Sequence, residues 1–144
     1  MKKGPLGGYL VAKVHNATGK LFAQKLKESN LSELDPSLAN IVFVLLLKDG
    51  SSIKEIADFT SFGKSTLSNM LDRLESLGWL RRVHSKEDRR VIHIFLEKSP
   101  EQIHEAFGPI IMEMIKTFYK GFTKTEIKLF EDTLHRIMGN LEGV

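Results

Sequence analysis

Two clusters of polar side chains near the middle of the chain have the chemistry of a surface that contacts nucleic acid. The first follows Gly63 and combines small hydrogen-bonding residues with basic ones: Lys64, Ser65, Thr66, Ser68, Asn69 and, about one turn further on, Arg73. Asn pairs with adenine through two hydrogen bonds, Ser and Thr adapt to several base edges, and basic side chains contact phosphates. The cluster therefore suits the major groove of DNA, and it is equally consistent with the solvated face of an amphipathic helix.

The second cluster is the run Lys86-Glu87-Asp88-Arg89-Arg90. It is too polar to bury and lacks the Asn-Gly signature of a tight hairpin, so it predicts a longer loop. An arginine at the tip of such a loop can enter a narrow minor groove, where the negative potential is enhanced. Lys86, Arg89 and Arg90 are the candidate DNA contacts, and Asp88 is placed to hold Arg90 extended. The alternative is a solvated charged hairpin.

The elements around the clusters predict a helix-turn-helix followed by a hairpin. Ser52 and Glu55 have the spacing of a capping box, which starts a short helix, and a turn follows over residues 58–63. The next helix ends at Gly78, and its apolar residues recur at helical spacing: Leu67, Met70, Leu71, Leu74 and Leu77. Two strands are predicted over residues 79–85 and 91–96, on either side of the basic loop.

Four further helices are predicted around this unit, so the expected fold class is mostly α with a small β-hairpin. The first runs from about residue 6 to 27. The second starts with Asp35 as N-cap and Pro36 at its first position, and it ends at Gly50. The fifth begins at Ser99 and Pro100 and contains Gly108 and Pro109, which predict a kink. The sixth follows Thr123 and Glu126, which have the spacing of a capping box, and runs from about residue 124 to 141. Apolar residues expected to be buried on these last two helices are Ile103, Phe107, Ile110, Ile111, Met114, Phe118, Ile127, Phe130, Leu134, Ile137, Met138 and Leu141.

Composition narrows the class of protein. The 144 residues carry a net charge of +3 with no cysteine, and the positive charge is concentrated in residues 1–30 and 51–98. The absence of cysteine rules out disulfides, thiolate metal sites and thiol redox switching. No apolar run approaches the roughly 18 residues of a membrane span, and the N-terminus does not have the pattern of a signal peptide. A cytoplasmic protein without a membrane partner is expected.

Motifs of catalysis are missing from the sequence. The five histidines, His15, His84, His93, His104 and His135, lack the spacing of metal ligands. There is no nucleotide-binding glycine loop and no nucleophile motif, and paired carboxylates such as Glu87-Asp88 are predicted to be solvated. We therefore expect no metal, no cofactor and no enzymatic activity.

The run from Leu67 to Arg82 resembles the recognition helix, the Leu-Glu-x-x-Gly turn and the first wing strand of the MarR family of bacterial transcription regulators. The run from Ser85 to Arg90 is similar to the family's wing signature, with Asp88 and Arg90 at the matching positions. The chain departs from the family after Leu96, where Glu97-Lys98-Ser99-Pro100 replaces the usual Leu-Thr and glycine-containing turn. That departure affects the start of the fifth helix and not the parts that would read DNA.

The resemblance implies a homodimer that presents two winged helices to successive major grooves of a pseudo-palindromic site. Residues 31–98 would form the winged helix-turn-helix, and residues 1–30 and 99–144 the helical dimerisation region of a single 144-residue chain. The broad apolar stripes of the terminal helices favour a dimer independently, since one small module cannot cover them. The alternative is that they close the core of a monomer.

The leading hypothesis is a DNA-binding regulator, expected to be a repressor, and the alternative is a winged-helix scaffold that binds other proteins. Many members of the family respond to small aromatic ligands bound between the dimer helices and the winged helix, so an effector is a further expectation. Residues that would face such a crevice are His15, Phe22 and Phe43, and each is also consistent with an ordinary core or interface position.

Overall fold

Six α-helices and one two-stranded antiparallel sheet make up the computed structural model, which describes residues 4–143. In chain order the elements are α1 (Gly7–Lys27), α2 (Pro36–Leu47), α3 (Ile53–Thr60), α4 (Lys64–Ser76), β1 (Leu80–His84), β2 (Ile92–Leu96), α5 (Pro100–Phe118) and α6 (Lys124–Glu142). The mostly helical class with a small hairpin is confirmed. The described residues form two compact units, one extending to Ile110 and one beginning at Ile111.

The core of the first unit surrounds α2. Ile41, Val42 and Leu45 are fully buried, and Ala39 and Val44 are buried as well. α2 is apolar on most sides, and other elements of the first unit contribute one to three buried side chains each to the same core: Leu26 from α1, Ile56 from α3, Leu67, Leu71 and Leu74 from α4, Ile94 from β2, and Ile103 and Phe107 from α5.

Helix starts agree with the predicted caps. Asp35 Oδ1 accepts a hydrogen bond from the Leu38 amide at 2.8 Å, with Pro36 next to it at the first helical position. Ser99 and Gln102 bond reciprocally at the start of α5, and Thr123 and Glu126 do so at the start of α6. Ser52 caps α3, which continues to Thr60 instead of ending before the predicted turn.

The connection between α2 and α3 pairs with β2 through backbone hydrogen bonds and so extends the sheet. The Gly50 amide donates to the Ile94 carbonyl, and the Ile94 amide donates to the Ser51 carbonyl, both at 2.9 Å. Gly50 has a left-handed conformation, with φ at 77°, but α2 ends earlier than predicted, at its C-cap Lys48. A Cβ at Gly50 would lie 2.8 Å from the ring of Phe95, so glycine serves this close approach to β2 and not the helix end.

The second unit contains the end of α5 and the whole of α6. Phe118, Tyr119, Phe122 and Phe130 form a cluster of aromatic rings, and the Tyr119 hydroxyl donates to Glu131 Oε1 at 2.9 Å. No residue of α6 is buried. Burial was predicted wrongly for six side chains, which are exposed in the single chain: Ile111, Phe118, Phe130, Ile137, Met138 and Leu141. A stripe at helical spacing shows which side chains share a face, and it does not show what covers that face.

Helical conformation continues through Gly108 and Pro109. Among residues 4–143, no helix is long and apolar enough to cross a membrane.

Phe107→Ala tests which contacts hold the first unit together. Phe107 is 1% exposed and its ring meets those of Phe43 at 4.9 Å and Trp79 at 5.9 Å. We expect a loss of about 3–5 kcal/mol in the free energy of unfolding, because truncation leaves a cavity beside both rings. Urea denaturation at fixed protein concentration, followed by fluorescence of the single tryptophan, measures it. Phe59→Ala, at a ring that is 68% exposed, is the control and should stay within about 0.5 kcal/mol. Equal losses in the two variants would contradict the assignment of Phe107 to the core.

Candidate nucleic-acid interface

The exposed face of α4 carries the whole first cluster. Lys64, Ser65, Thr66, Ser68, Asn69 and Arg73 are all exposed, while Leu67, Leu71 and Leu74 are buried on the opposite side. Gly63 precedes the helix in extended conformation, and no side chain caps the first turn. The N–H groups of that turn therefore stay available to an anion such as a phosphate. The Arg73 guanidinium lies 3.4 Å from the carbonyl oxygen of Glu33, at an exposed position.

A Schellman turn joins α4 directly to the hairpin. The Gly78 amide donates to the Glu75 carbonyl at 3.0 Å, and the Trp79 amide donates to the Leu74 carbonyl at 2.9 Å. Gly78 has φ at 80°, a backbone conformation that is sterically unfavourable for residues with a Cβ. Trp79 is 2% exposed, so the chain enters the core immediately after the turn. The hairpin is therefore fixed close to the end of α4.

Arg82 on β1 forms a second link back to α4. Its Nη2 lies 2.7 Å from Asp72 Oδ1, and its Nη1 lies 3.0 Å from Glu75 Oε1. We call these three residues the Arg82 clamp. Sequence reasoning used Arg82 only as a motif position and missed the contact. The available signal was the pair of carboxylates three residues apart, which share a helix face.

The loop between the strands, here called the wing tip (residues 85–91), is folded around Asp88. The Asp88 carboxylate accepts hydrogen bonds from Arg90 Nε and Nη2, both at 3.1 Å, and from the Arg90 amide at 3.0 Å. The Ser85 hydroxyl accepts from the Glu87 and Asp88 amides. The Arg90 side chain is still 91% exposed, and Lys86 and Arg89 are exposed too. Asp88 therefore orients Arg90 without removing it from solvent.

Hydrogen bonds to Arg90 lower the pKa of Asp88 below its ordinary value, first from the guanidinium and second from the amide. The carboxylate is thus held in its charged form, which is the form that pairs with Arg90.

His84 closes the wing tip on its strand side. Its Nδ1 lies 2.9 Å from the Arg89 carbonyl oxygen, which makes that nitrogen the donor. The Ser85 amide donates to the Val91 carbonyl, and the Val91 amide donates to the Asp88 carbonyl, both at 2.9 Å. His84 was considered only as a metal ligand from sequence, and within residues 4–143 no group of three or more acidic or histidine side chains is arranged to hold a metal.

The three residues predicted to face a ligand crevice lie in two different environments. Phe22 and Phe43 are half-buried and stack on each other, with ring centroids 6.3 Å apart, whereas His15 is exposed two turns earlier on α1. A separate groove of about 550 Å³ lies between the end of α1 and α5, and none of the three lines it. Its lining residues are Ser29, Asn30, Leu31, Gln102, Glu105, Ala106, Pro109 and Ile110.

A polar helix face, a tight turn and a basic wing tip on one packed unit define a winged helix-turn-helix, a class of protein that binds DNA. Residues 40–92 match the sequence profile described as the MarR family. Two curated relatives, both HTH-type proteins, illustrate the similarity. The repressor IacR of Pseudomonas putida is 25% identical over 93% of this chain and 78% of its own length, and the regulator YfiV of Bacillus subtilis is 32% identical over 52% of this chain. The chain spans 48% of YfiV, about half its length.

Solved structures share the fold over nearly the whole chain. The FabT protein of Streptococcus pneumoniae, in complex with DNA, superimposes with a TM-score of 0.77 at 22% identity, covering 96% of both chains. MarR from E. coli without ligand gives 0.78 at 21% identity, covering 95% of this chain and 98% of that chain. The match to the MarR family covers residues 40–92, and the likeness in fold extends over nearly the whole chain. The curated relatives of this chain are transcription regulators.

The Asp88 carboxyl should titrate at lower pH than an ordinary aspartic acid, because Arg90 stabilises the carboxylate. The contact should therefore be complete at neutral pH and disappear only as the pH falls through that lowered pKa. The ¹³C shift of the Asp88 carboxyl followed through an acid titration measures the midpoint. In Arg90→Gln the midpoint should rise toward the ordinary value, since the guanidinium that contributes most to the lowered pKa is gone. An unchanged midpoint would mean that the Arg90 guanidinium does not bond to the Asp88 carboxylate in solution.

Proposed function

We propose that this protein is a dimeric, sequence-specific transcription regulator that represses by binding a pseudo-palindromic operator. The observation that carries the proposal is the exposed polar face of α4 together with the basic wing tip on one packed unit. The curated relative IacR is a repressor, and FabT and MarR have structures with DNA, which supports the proposal by similarity.

In this proposal α4 enters the major groove. Asn69 and Ser68 contact base edges, while Lys64 and Arg73 contact phosphates on either side. The remaining small residues of the first turn, Ser65 and Thr66, add hydrogen bonds where the helix N-terminus approaches the backbone. Arg90 reaches into the adjacent minor groove with Asp88 fixing its direction, and Lys86 and Arg89 contact the flanking phosphates.

Exposed apolar side chains on the terminal helices support the dimer. On α1 and at its N-cap these are Leu6, Tyr9, Leu10, Val11 and Val14, and on α5 and α6 they include Ile111, Met112, Ile115, Leu129, Phe130, Ile137, Met138 and Leu141. A monomer that exposed all of them would be prone to associate. Pairing two copies along residues 1–30 and 99–144 would cover them and leave residues 31–98 of each copy for DNA.

A small-molecule effector completes the proposal. The groove bordered by Asn30, Gln102 and Glu105 on its polar side and by Ile110 on its apolar side has the size of a site for a compact ligand. Phe22 and Phe43 would then act as packing residues behind such a site, and His15 as a solvent-facing residue of α1.

Selection from a random DNA pool at physiological salt should enrich a sequence with two related halves about 10 base pairs apart.

Arg90→Ala should weaken binding to this sequence by roughly 1–3 kcal/mol and leave the dimer intact, because Arg90 contributes a minor-groove contact and not a packing contact. Gel-shift or fluorescence anisotropy titration measures the affinity, with Lys128→Ala on α6 as the charge-matched control. An Arg90→Ala protein that binds like the wild type would remove the wing from the proposal.

Salt distinguishes a DNA reader from a scaffold that binds proteins. Contacts to several phosphates release counterions, so the logarithm of the affinity should fall linearly and steeply with the logarithm of salt concentration. No enrichment of a two-fold sequence, or binding indifferent to salt, would favour the scaffold.

A double variant tests the dimer. Ile137→Glu with Leu141→Glu places two charges four residues apart on α6, at side chains 42% and 69% exposed. Burying two carboxylates in an apolar interface is costly, so sedimentation equilibrium should show a dissociation constant raised by at least about a hundredfold. The control is Leu47→Glu with Phe59→Glu, at side chains 79% and 68% exposed outside the terminal helices, which should leave the dimer unchanged. Equal effects would argue against α6 as part of the interface.

A further inference from the structure

Arg82 differs from the other basic side chains of the hairpin in where it points. Its side chain is 21% exposed, against 53% for Arg81 and 91% for Arg90. Arg81 lies near Glu97 and over the ring of Phe95, both on the hairpin itself. Arg82 instead reaches back to two carboxylates on α4. It is therefore directed away from the solvent that DNA would replace.

We propose that Arg82 is a positioning residue for DNA binding, which fixes the orientation of the wing relative to α4 without contacting DNA. The inference rests on the proposed function and assigns a role within it. Asp72 and Glu75 lie one turn apart on α4, and the planar guanidinium bonds one with each of two nitrogens. A bridge with two anchors resists rotation of the strand about the helix, which a single contact does not.

The same face of β1 carries three successive attachments. Leu80 is 2% exposed in the core, Arg82 holds α4, and His84 holds the Arg89 carbonyl in the wing tip. Alternate residues of a strand share a face, so the three contacts act on one rigid edge. Arg82 is the middle one, between the core and the residues that would enter the minor groove. Losing it should free the wing to rotate while the core stays packed.

The alternative role for Arg82 is to neutralise charge, and it predicts the opposite change in DNA affinity for one variant. If Arg82 only neutralised Asp72 and Glu75 near DNA phosphates, then removing those carboxylates would strengthen binding. If Arg82 positions the wing, the variant Asp72→Ala with Glu75→Ala should bind DNA more weakly, although the protein becomes more positive. This variant therefore separates orientation from charge.

The decisive experiment is a double-mutant cycle on DNA affinity with Arg82→Gln and Arg90→Ala. Each change alone should weaken binding about tenfold. Together they should weaken it far less than the hundredfold of independent effects, because a misplaced wing no longer presents Arg90. Arg81→Gln, one residue away with the same charge change, should weaken binding less than about threefold. Thermal unfolding checks that each variant is folded.

Orientation is also measured without DNA. Backbone residual dipolar couplings of the free protein should give one fixed angle between α4 and the hairpin in the wild type and in Arg81→Gln, and averaged couplings for the hairpin in Arg82→Gln. Additive losses in the cycle, tighter binding by Asp72→Ala with Glu75→Ala, or unchanged couplings in Arg82→Gln would each overturn the positioning role. Failure of the wild type to select a DNA sequence would instead overturn the proposed function, and the couplings would still decide the role of Arg82.

Discussion

The turn at Gly78 and Trp79 is the constraint on which the hairpin depends. Only two residues separate the C-cap of α4 from β1. The chain can change direction there because Gly78 adopts a left-handed conformation. Trp79 then enters the core, where its ring lies 5.9 Å from that of Phe107 and beneath the Lys98 ammonium at 4.8 Å. The Glu97 amide donates to the Trp79 carbonyl at 2.9 Å and so joins the far end of β2 to the same point. The helix and the hairpin that are proposed to contact DNA thus share one anchor, and the position of one limits that of the other.

Apolar burial and ion pairs have different tasks in this protein. Complete burial of a Leu, Ile or Phe side chain contributes about 1.5–3 kcal/mol, and the first unit buries such side chains from every element. An exposed ion pair contributes about 0–1 kcal/mol, because water screens the charges and the side chains lose freedom. The Arg82 clamp and the contact between Asp88 and Arg90 therefore add little to folding stability. Their effect is instead on orientation, because each contact selects one arrangement of side chains that the core leaves free to move.

Local chemistry made much of the fold predictable, whereas contacts distant in sequence did not follow from it. The caps at Asp35, Ser52, Ser99 and Thr123 and the polar face of α4 follow from spacings of a few residues. The edge that Gly50 forms with β2 joins residues 44 positions apart, and no local pattern encodes it. Arg82 and His84 were missed for a related reason, since their partners depend on how the strand packs against α4 and on how the wing tip closes. The exposure of α6 was missed because a stripe of apolar residues is the same whether it faces its own chain or a partner.

The aromatic rings of the first unit show that a functional division of the chain need not follow a division of its core. Phe22 of α1 stacks on Phe43 of α2, Phe43 meets Phe107 of α5 edge-on at 4.9 Å, and Phe107 contacts Trp79. Phe22 and Phe107 belong to the helices that are proposed to form the dimer, whereas Phe43 and Trp79 belong to the winged helix. Packed interiors are dense and transmit displacement instead of absorbing it. Phe107 of α5 lies in direct contact with Trp79, the residue that anchors the hairpin, with no other element between them.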